Sequence, residues 1–125
     1  LLNTDAHAKN YSLMLSGGEV TLAPMYDVLS IAAFLALDEH PLFPMRIGRT
    51  FDLEQVFPET MVKEARRLMI AEADATEIVD RTLQNLSVAL DATAERMSSL
   101  DRNGIITRTV DGIRKHSALM KPFIE

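Results

Sequence analysis

Apolar positions recur at helical spacing through the second half of the chain. Val79, Leu83, Leu86, Leu90, Thr93, Met97 and Leu100 alternate steps of four and three, which gathers them on one face because a helix turns once every 3.6 residues. Asp74 followed three residues later by Glu77 has the form of a capping box and marks the expected start. At 1.5 Å per residue the helix runs about 40 Å. Asp101 to Gly104 breaks it, and Ile106, Val110, Ile113, Ser117 and Met120 predict a last helix running back until Pro122. Asp52 with Gln55 repeats the capping pattern for a short helix stopped by Pro58, and Glu59 to Glu72 predicts another. The four-three spacing also suits a coiled coil. It is short, includes Thr93 and lies among other amphipathic segments, so the expectation is an intramolecular helical bundle over 52–122. Met61, Met69, Met97 and Met120 read as core filler within it.

The first half has a different pattern. Tyr11 to Leu15 and Glu19 to Ala23 are short runs separated by Ser16-Gly17-Gly18, whose glycines allow the positive φ of a tight turn, so a β-hairpin is expected. Tyr26 to Leu37 is apolar without Gly or Pro and predicts a short, largely buried helix after Asp27. Asp38 to Phe51, interrupted by Pro41, Pro44 and Gly48, reads as an irregular loop over the core. The predicted class is mainly α with one short β-hairpin.

Composition narrows the function classes. The 125 residues are 47% apolar, enough for one core, and 1–125 reads as one domain. A net charge of -5 with scattered Lys and Arg argues against direct nucleic-acid binding. No apolar run approaches the roughly 20 residues of a membrane span, and no basic, then apolar, leader opens the chain. The absence of cysteine excludes disulfides and thiolate metal sites and suits a reducing cytosol, so the expected location is cytoplasmic. The chain starts at Leu1 with its chemistry-bearing residues only a few positions on, which reads as part of a longer protein.

Those residues are Asn3, Asp5, His7, Lys9 and Asn10, then Asp27 after the hairpin, all in stretches that score as loop. Phosphoryl transfer needs a carboxylate to orient the attacking hydroxyl and accept its proton. It also needs oxygen ligands for magnesium and positive groups for the charge developing on the transferred phosphoryl. Asp5 suits the base, Asn10 and Asp27 the magnesium ligands, and Lys9 or His7 a phosphate contact. The spacing Asp-x4-Asn from Asp5 to Asn10 matches a phosphotransfer loop but is common by chance; the order loop, hairpin, Asp, helix is far more specific. Singly, each residue has a plainer reading. Asp5 suits an N-cap or an Asx turn, His7 a surface or hydrogen-bonded loop histidine, Lys9 a solvated amine, and Asp27 a helix cap. Tyr26 reads as a packing residue that sets the direction of Asp27. His40 and His116 lack partners at ligand spacing and read as structural, and Asp38, Glu39 and Glu54 as a solvated rim.

Asn3-Thr-Asp-Ala-His-Ala-Lys-Asn-Tyr-Ser12, Leu22-Ala-Pro-Met-Tyr-Asp-Val-Leu-Ser30 and, more loosely, Met45-Arg-Ile-Gly48 resemble the HipA family, kinase toxins of toxin–antitoxin pairs and their relatives. Residues 1 to about 50 carry the match, with Tyr26-Asp27 in place of Asp-Phe-Gly. The resemblance implies the helical C-terminal lobe of a protein-kinase-like fold, with ATP and Mg²⁺ as cofactors, a protein serine or threonine as substrate and a DNA-binding antitoxin as partner. It implies Asp5 as the catalytic base, Asn10 and Asp27 as Mg-ATP ligands and His7 near the transferred phosphate. The family's nucleotide-covering loop and ATP-contacting Lys have no counterpart here, so the isolated chain is expected to be inactive. Two other readings stay open: a metal-dependent hydrolase built on Asp5, His7 and Asp27, which needs a further His or carboxylate, and a non-catalytic interaction module.

Overall fold

The computed structural model describes residues 1–35 and 40–120. Leu37, Asp38, Glu39 and Pro122, named above, lie outside them. The described residues form three helices, α1 (Pro58–Arg67), α2 (Glu72–Met97) and α3 (Ile105–Ser117), and two antiparallel hairpins. One hairpin is β1 (Leu13–Ser16) with β2 (Glu19–Leu22), the other β3 (Leu42–Ile47) with β4 (Thr50–Asp52). The fold is mainly α, as its patterning predicts.

α2 packs against both other helices. Leu90 is buried on it and Val79, Leu83 and Leu86 are half-buried, so the predicted stripe faces the core over most of its length. The stripe fails at its end. Leu100 is exposed because Ser98–Leu100 is a 3-10 turn, whose three-residue period rotates the side chain off the α-helical face. α3 returns along α2, with Val110 and Ile113 joining Leu90 in the core and Arg114 paired to Asp91 across the two helices. Its start is held by Asp101, whose carboxylate accepts hydrogen bonds from the Ile106 amide (2.8 Å), the Thr107 amide (2.9 Å) and the Thr107 hydroxyl (2.6 Å). Those bonds, the Thr107 hydroxyl first, hold the Asp101 carboxyl below its ordinary pKa.

Other boundaries differ from expectation. α1 stops at Arg67 instead of continuing to Glu72, in a Schellman turn. Met69 takes φ 64, its amide donates to the Arg66 carbonyl, and the Ile70 amide reaches back to the Ala65 carbonyl at 3.1 Å. No glycine marks this stop. The turn leaves Met69 92% exposed, so it is not core filler; Met61 and Met120 are half-buried, and Met97 is partly exposed. α2 consequently begins at Glu72, with Asp74 and Glu77 inside it and not at a cap, and Glu72 reaches back to Arg66 at 3.0 Å. The short helix after Asp52 is a 3-10 turn, Leu53–Gln55, capped by Asp52 as expected.

The stretch expected to be irregular before Asp52 is the second hairpin. Phe43, Met45 and Ile47 alternate inward with Leu42, Pro44 and Arg46 outward. Pro44 is tolerated because the pair is only two strands wide and is irregular between its Leu42↔Asp52 and Ile47↔Thr50 rungs, where a missing N–H leaves no ladder bond open. The expected helix after Asp27 is absent among the described residues. Its donors are used elsewhere: the Ile31 amide bonds the Leu2 carbonyl (3.2 Å) and the Ala32 amide the Ser30 hydroxyl (3.2 Å), which leaves one turn closed by Phe34 to Ile31 (2.8 Å).

This segment enters the core. Leu2, Ala32 and Leu53 are buried with Leu90, Val110 and Ile113. Ala32 comes so close to α3 that a Cβ on Gly112 would lie 2.7 Å from the Ala32 carbonyl oxygen and 2.9 Å from its Cβ.

Three stability measurements follow. Gly112→Ala gains about 1 kcal/mol of helix propensity, but a backbone carbonyl cannot yield to the new methyl, so overpacking of about 1–3 kcal/mol dominates and the denaturation midpoint falls. Met69→Gly relieves a left-handed residue and raises stability by about 0.5–1 kcal/mol. A lowered folded pKa means that the Asp101 contribution is present above its unfolded value near 3.8 and is lost as pH falls through the lower folded value. Asp101→Ala therefore lowers stability at neutral pH and flattens the acid limb of the stability profile.

Candidate functional site

The loop from Asn3 to Asn10 leaves the core at buried Leu2 and ends in a 3-10 turn, Ala8–Asn10. Asn3, not Asp5, makes the Asx turn: its Oδ1 accepts the Asp5 amide at 3.0 Å, which leaves the Asp5 carboxylate free of that task and 58% exposed. The His7 amide is shared between the Asp5 carbonyl (2.8 Å) and Asn10 Oδ1 (3.2 Å), and the Asn10 amide returns to the His7 carbonyl (2.9 Å). His7 Nε2 lies 3.9 Å from Asp5 Oδ1, close enough for an electrostatic pairing but not a hydrogen bond. The other ring nitrogen, Nδ1, is enclosed and has no hydrogen-bond partner among the described residues. Lys9 is exposed.

β1 and β2 fold the chain back on this loop. Their register pairs Leu13 with Leu22, and one further bond, Ala23 amide to Ser12 carbonyl at 2.8 Å, carries the pairing beyond the strands. Tyr26 and Asp27 thereby meet Lys9 and Asn10. Asn10 Nδ2 donates to Asp27 Oδ2 at 2.9 Å. The Tyr26 hydroxyl donates to the Lys9 carbonyl at 2.8 Å and lies 2.8 Å from the Ser12 hydroxyl. Asp27 has φ 54, a left-handed backbone that Asp tolerates better than most residues and that helix capping does not require. A cleft of about 160 Å³ opens here, lined by Asn3, Asn10, Tyr11, Met25, Asp27 and Val28.

The predicted residues thus assemble as two pairs, Asp5 with His7 on the loop and Asn10 with Asp27 across the foot of the hairpin. Lys9 joins through its backbone carbonyl, and among the described residues no contact links its amine to either pair. Tyr26 is 46% exposed and acts on the loop by hydrogen bonding, not as the packing residue expected. Asn3 and Ser12 also hold the site together. An Asn two residues before Asp5 was a readable Asx signal; Ser12 opposite Tyr26 emerges only from the hairpin register.

Asn10 and Asp27 fit a hard cation. A carboxylate and a side-chain amide, joined beside a cleft by a bond from the amide nitrogen, carry the kinds of oxygen Mg²⁺ takes when phosphates and water complete its octahedron. Among the described residues no three His, Cys, Asp or Glu side chains gather as a metal-holding group. His40 instead faces Glu54 at 3.4 Å on the surface. His116 is half-buried, and desolvation lowers its pKa and favours the neutral ring. No described helix is long and apolar enough to cross a membrane.

Comparison with known proteins identifies the family. The family described as HipA-like C-terminal domain matches residues 1–90, which span the loop, both hairpins, α1 and most of α2. The match extends past the first 50 residues that carry the sequence resemblance. The protein named "Putative kinase Y4mE" from Sinorhizobium fredii is 33% identical over 97 residues, an alignment covering 74% of this chain and 23% of that protein. The chain therefore spans about a quarter of that relative's length. With its loop, hairpin and Asp27 in the matched region, the chain belongs to the HipA-like C-terminal domain family.

Proposed function

We propose that this domain supplies the base and the magnesium-holding side chains of an ATP-dependent kinase that phosphorylates a serine or threonine hydroxyl of a protein. The observation that carries the reading is the 2.9 Å bond from Asn10 to Asp27, which joins the end of an Asp-x4-Asn loop to the first acid after the hairpin. A longer kinase supplies the remaining nucleotide contacts. The exposed apolar residues of β1 and β2, Leu13, Leu15, Val20 and Leu22, offer that remainder a surface to cover.

Within this reading Asp5 receives the substrate. Its carboxylate is exposed and oriented by the Asn3 turn, so it can accept a hydrogen bond from the attacking hydroxyl and take its proton. His7, 3.9 Å away, and Lys9 are the groups that offset charge on the transferred phosphoryl. Asn10 and Asp27 would hold Mg²⁺, which neutralises and orients the ATP phosphates when bound. Positioning dominates such catalysis, because the phosphoryl group requires alignment more than covalent help. The family resemblance further supports a cytosolic toxin–antitoxin setting with a DNA-binding antitoxin as partner.

Asp5→Asn in the full-length protein removes the base, and phosphoryl transfer falls by at least about 100-fold while Mg-ATP affinity changes little. Asp27→Asn weakens Mg-ATP binding first. Calorimetric titration beside a transfer assay separates the two, and equal nucleotide loss in both variants contradicts this division of roles. The 125-residue chain alone is expected to bind Mg-ATP only weakly and to transfer no phosphoryl group. Micromolar binding or protein phosphorylation by the chain alone would contradict the reading that further nucleotide contacts are needed.

A further inference from the structure

A cation bound by both side chains changes what holds Asn10 and Asp27 together. Asn10 now presents its amide nitrogen to Asp27 and its oxygen to the His7 amide. Turning the Asn10 oxygen to a metal competes with the His7 bond, and Asp27 then has one oxygen for the metal and one for the Asn10 N–H, so the pair rests on a single exposed hydrogen bond. Something besides that single bond must then keep residues 10 and 27 in register. Packing cannot, since all eight residues of β1 and β2 are exposed. Nor can the β ladder: its last bond is Ala23 to Ser12, and Pro24 has no N–H with which to extend it.

What remains is the Tyr26 hydroxyl. It spends its one proton on the Lys9 carbonyl, so the bond to Ser12 must run from the Ser12 hydroxyl to the Tyr26 oxygen. Lys9 directly precedes Asn10, and Tyr26 directly precedes Asp27. The chain Ser12 to Tyr26 to Lys9 therefore clamps the two segments that flank the hairpin, one residue from each member of the ligand pair. It also braces Asp27 in its left-handed conformation. We infer that Tyr26 is a positioning residue, a latch that holds Asn10 and Asp27 at ligand spacing when a metal draws the Asn10 oxygen away from the His7 amide. This inference rests on the phosphoryl-transfer reading and goes beyond it in assigning Tyr26 and Ser12.

The test uses full-length protein, with Tyr26→Phe, Ser12→Ala and Ser12→Thr compared with wild type. Tyr26→Phe loses one hydrogen bond and should raise the Mg²⁺ concentration for half-maximal transfer by about threefold to tenfold, with ATP affinity in the absence of divalent cation unchanged. Ser12→Ala should shift it by about threefold, and Ser12→Thr, which keeps the hydroxyl, should recover most of that shift. Equal loss of ATP affinity with and without Mg²⁺, or wild-type Mg²⁺ dependence in Tyr26→Phe, overturns the latch. Amide hydrogen exchange at Asn10 and Tyr11 reads the same contact without catalysis. Tyr26→Phe should speed it by about tenfold, and unchanged exchange overturns the latch by itself. A wild-type protein that transfers no phosphoryl group contradicts the functional reading instead, and the exchange measurement still decides the latch.

Discussion

One backbone hydrogen bond, from the Ile31 amide to the Leu2 carbonyl at 3.2 Å, closes the segment that carries every candidate residue. Leu2 and Ala32 are buried in the same core cluster, against Val110 and Ile113 of α3. The loop thus leaves the core where the chain after Asp27 enters it. Everything between projects outward, with the β1–β2 hairpin exposed on both strands. The close approach of Ala32 to Gly112 fixes this anchor to a rigid helix, and only a residue without a side chain permits it. The helical bundle therefore acts as a mount, and its contribution to function is to fix both ends of a polar excursion.

The excursion is held by polar contacts because it lacks apolar cover. Asn3 shapes the turn under Asp5, Asn10 bridges to Asp27, and Tyr26 binds the backbone beside Asn10. Exposed hydrogen bonds of this kind each contribute on the order of 1 kcal/mol, little beside core burial. Such a site tolerates the rearrangement that ligand binding demands, and it also needs several cooperating bonds to stay in register. Its donors suit a cation shared with phosphate oxygens, in keeping with membership of a family whose relative here carries a kinase name.

Sequence patterning made the helical half legible because burial follows period: Leu90, Val110 and Ile113 lie where spacing places them. It failed where tertiary contacts override local preference. The apolar run after Asp27 looks helical, yet its amides bond Leu2 and Ser30, partners not visible in a local window. The second hairpin was hidden by Pro44, a strand breaker in general but harmless in a two-stranded pair. The end of α1 was hidden because Met69, and not glycine, adopts the left-handed position. At the site, the residue types and the return of Asp27 to Asn10 were readable from the order loop, hairpin, acid. The bond from Tyr26 to Lys9 was not, because it depends on the hairpin register.

The claim that Asn10 and Asp27 hold the nucleotide's metal is tested most directly by binding Mn²⁺-ATP to isotopically labelled full-length protein. Paramagnetic broadening is then followed at individual side chains. Selective broadening of the Asn10 side-chain amide and the Asp27 resonances, absent with Mg²⁺-ATP, is the predicted result. Broadening centred on other residues, with Asn10 and Asp27 left sharp, would contradict it.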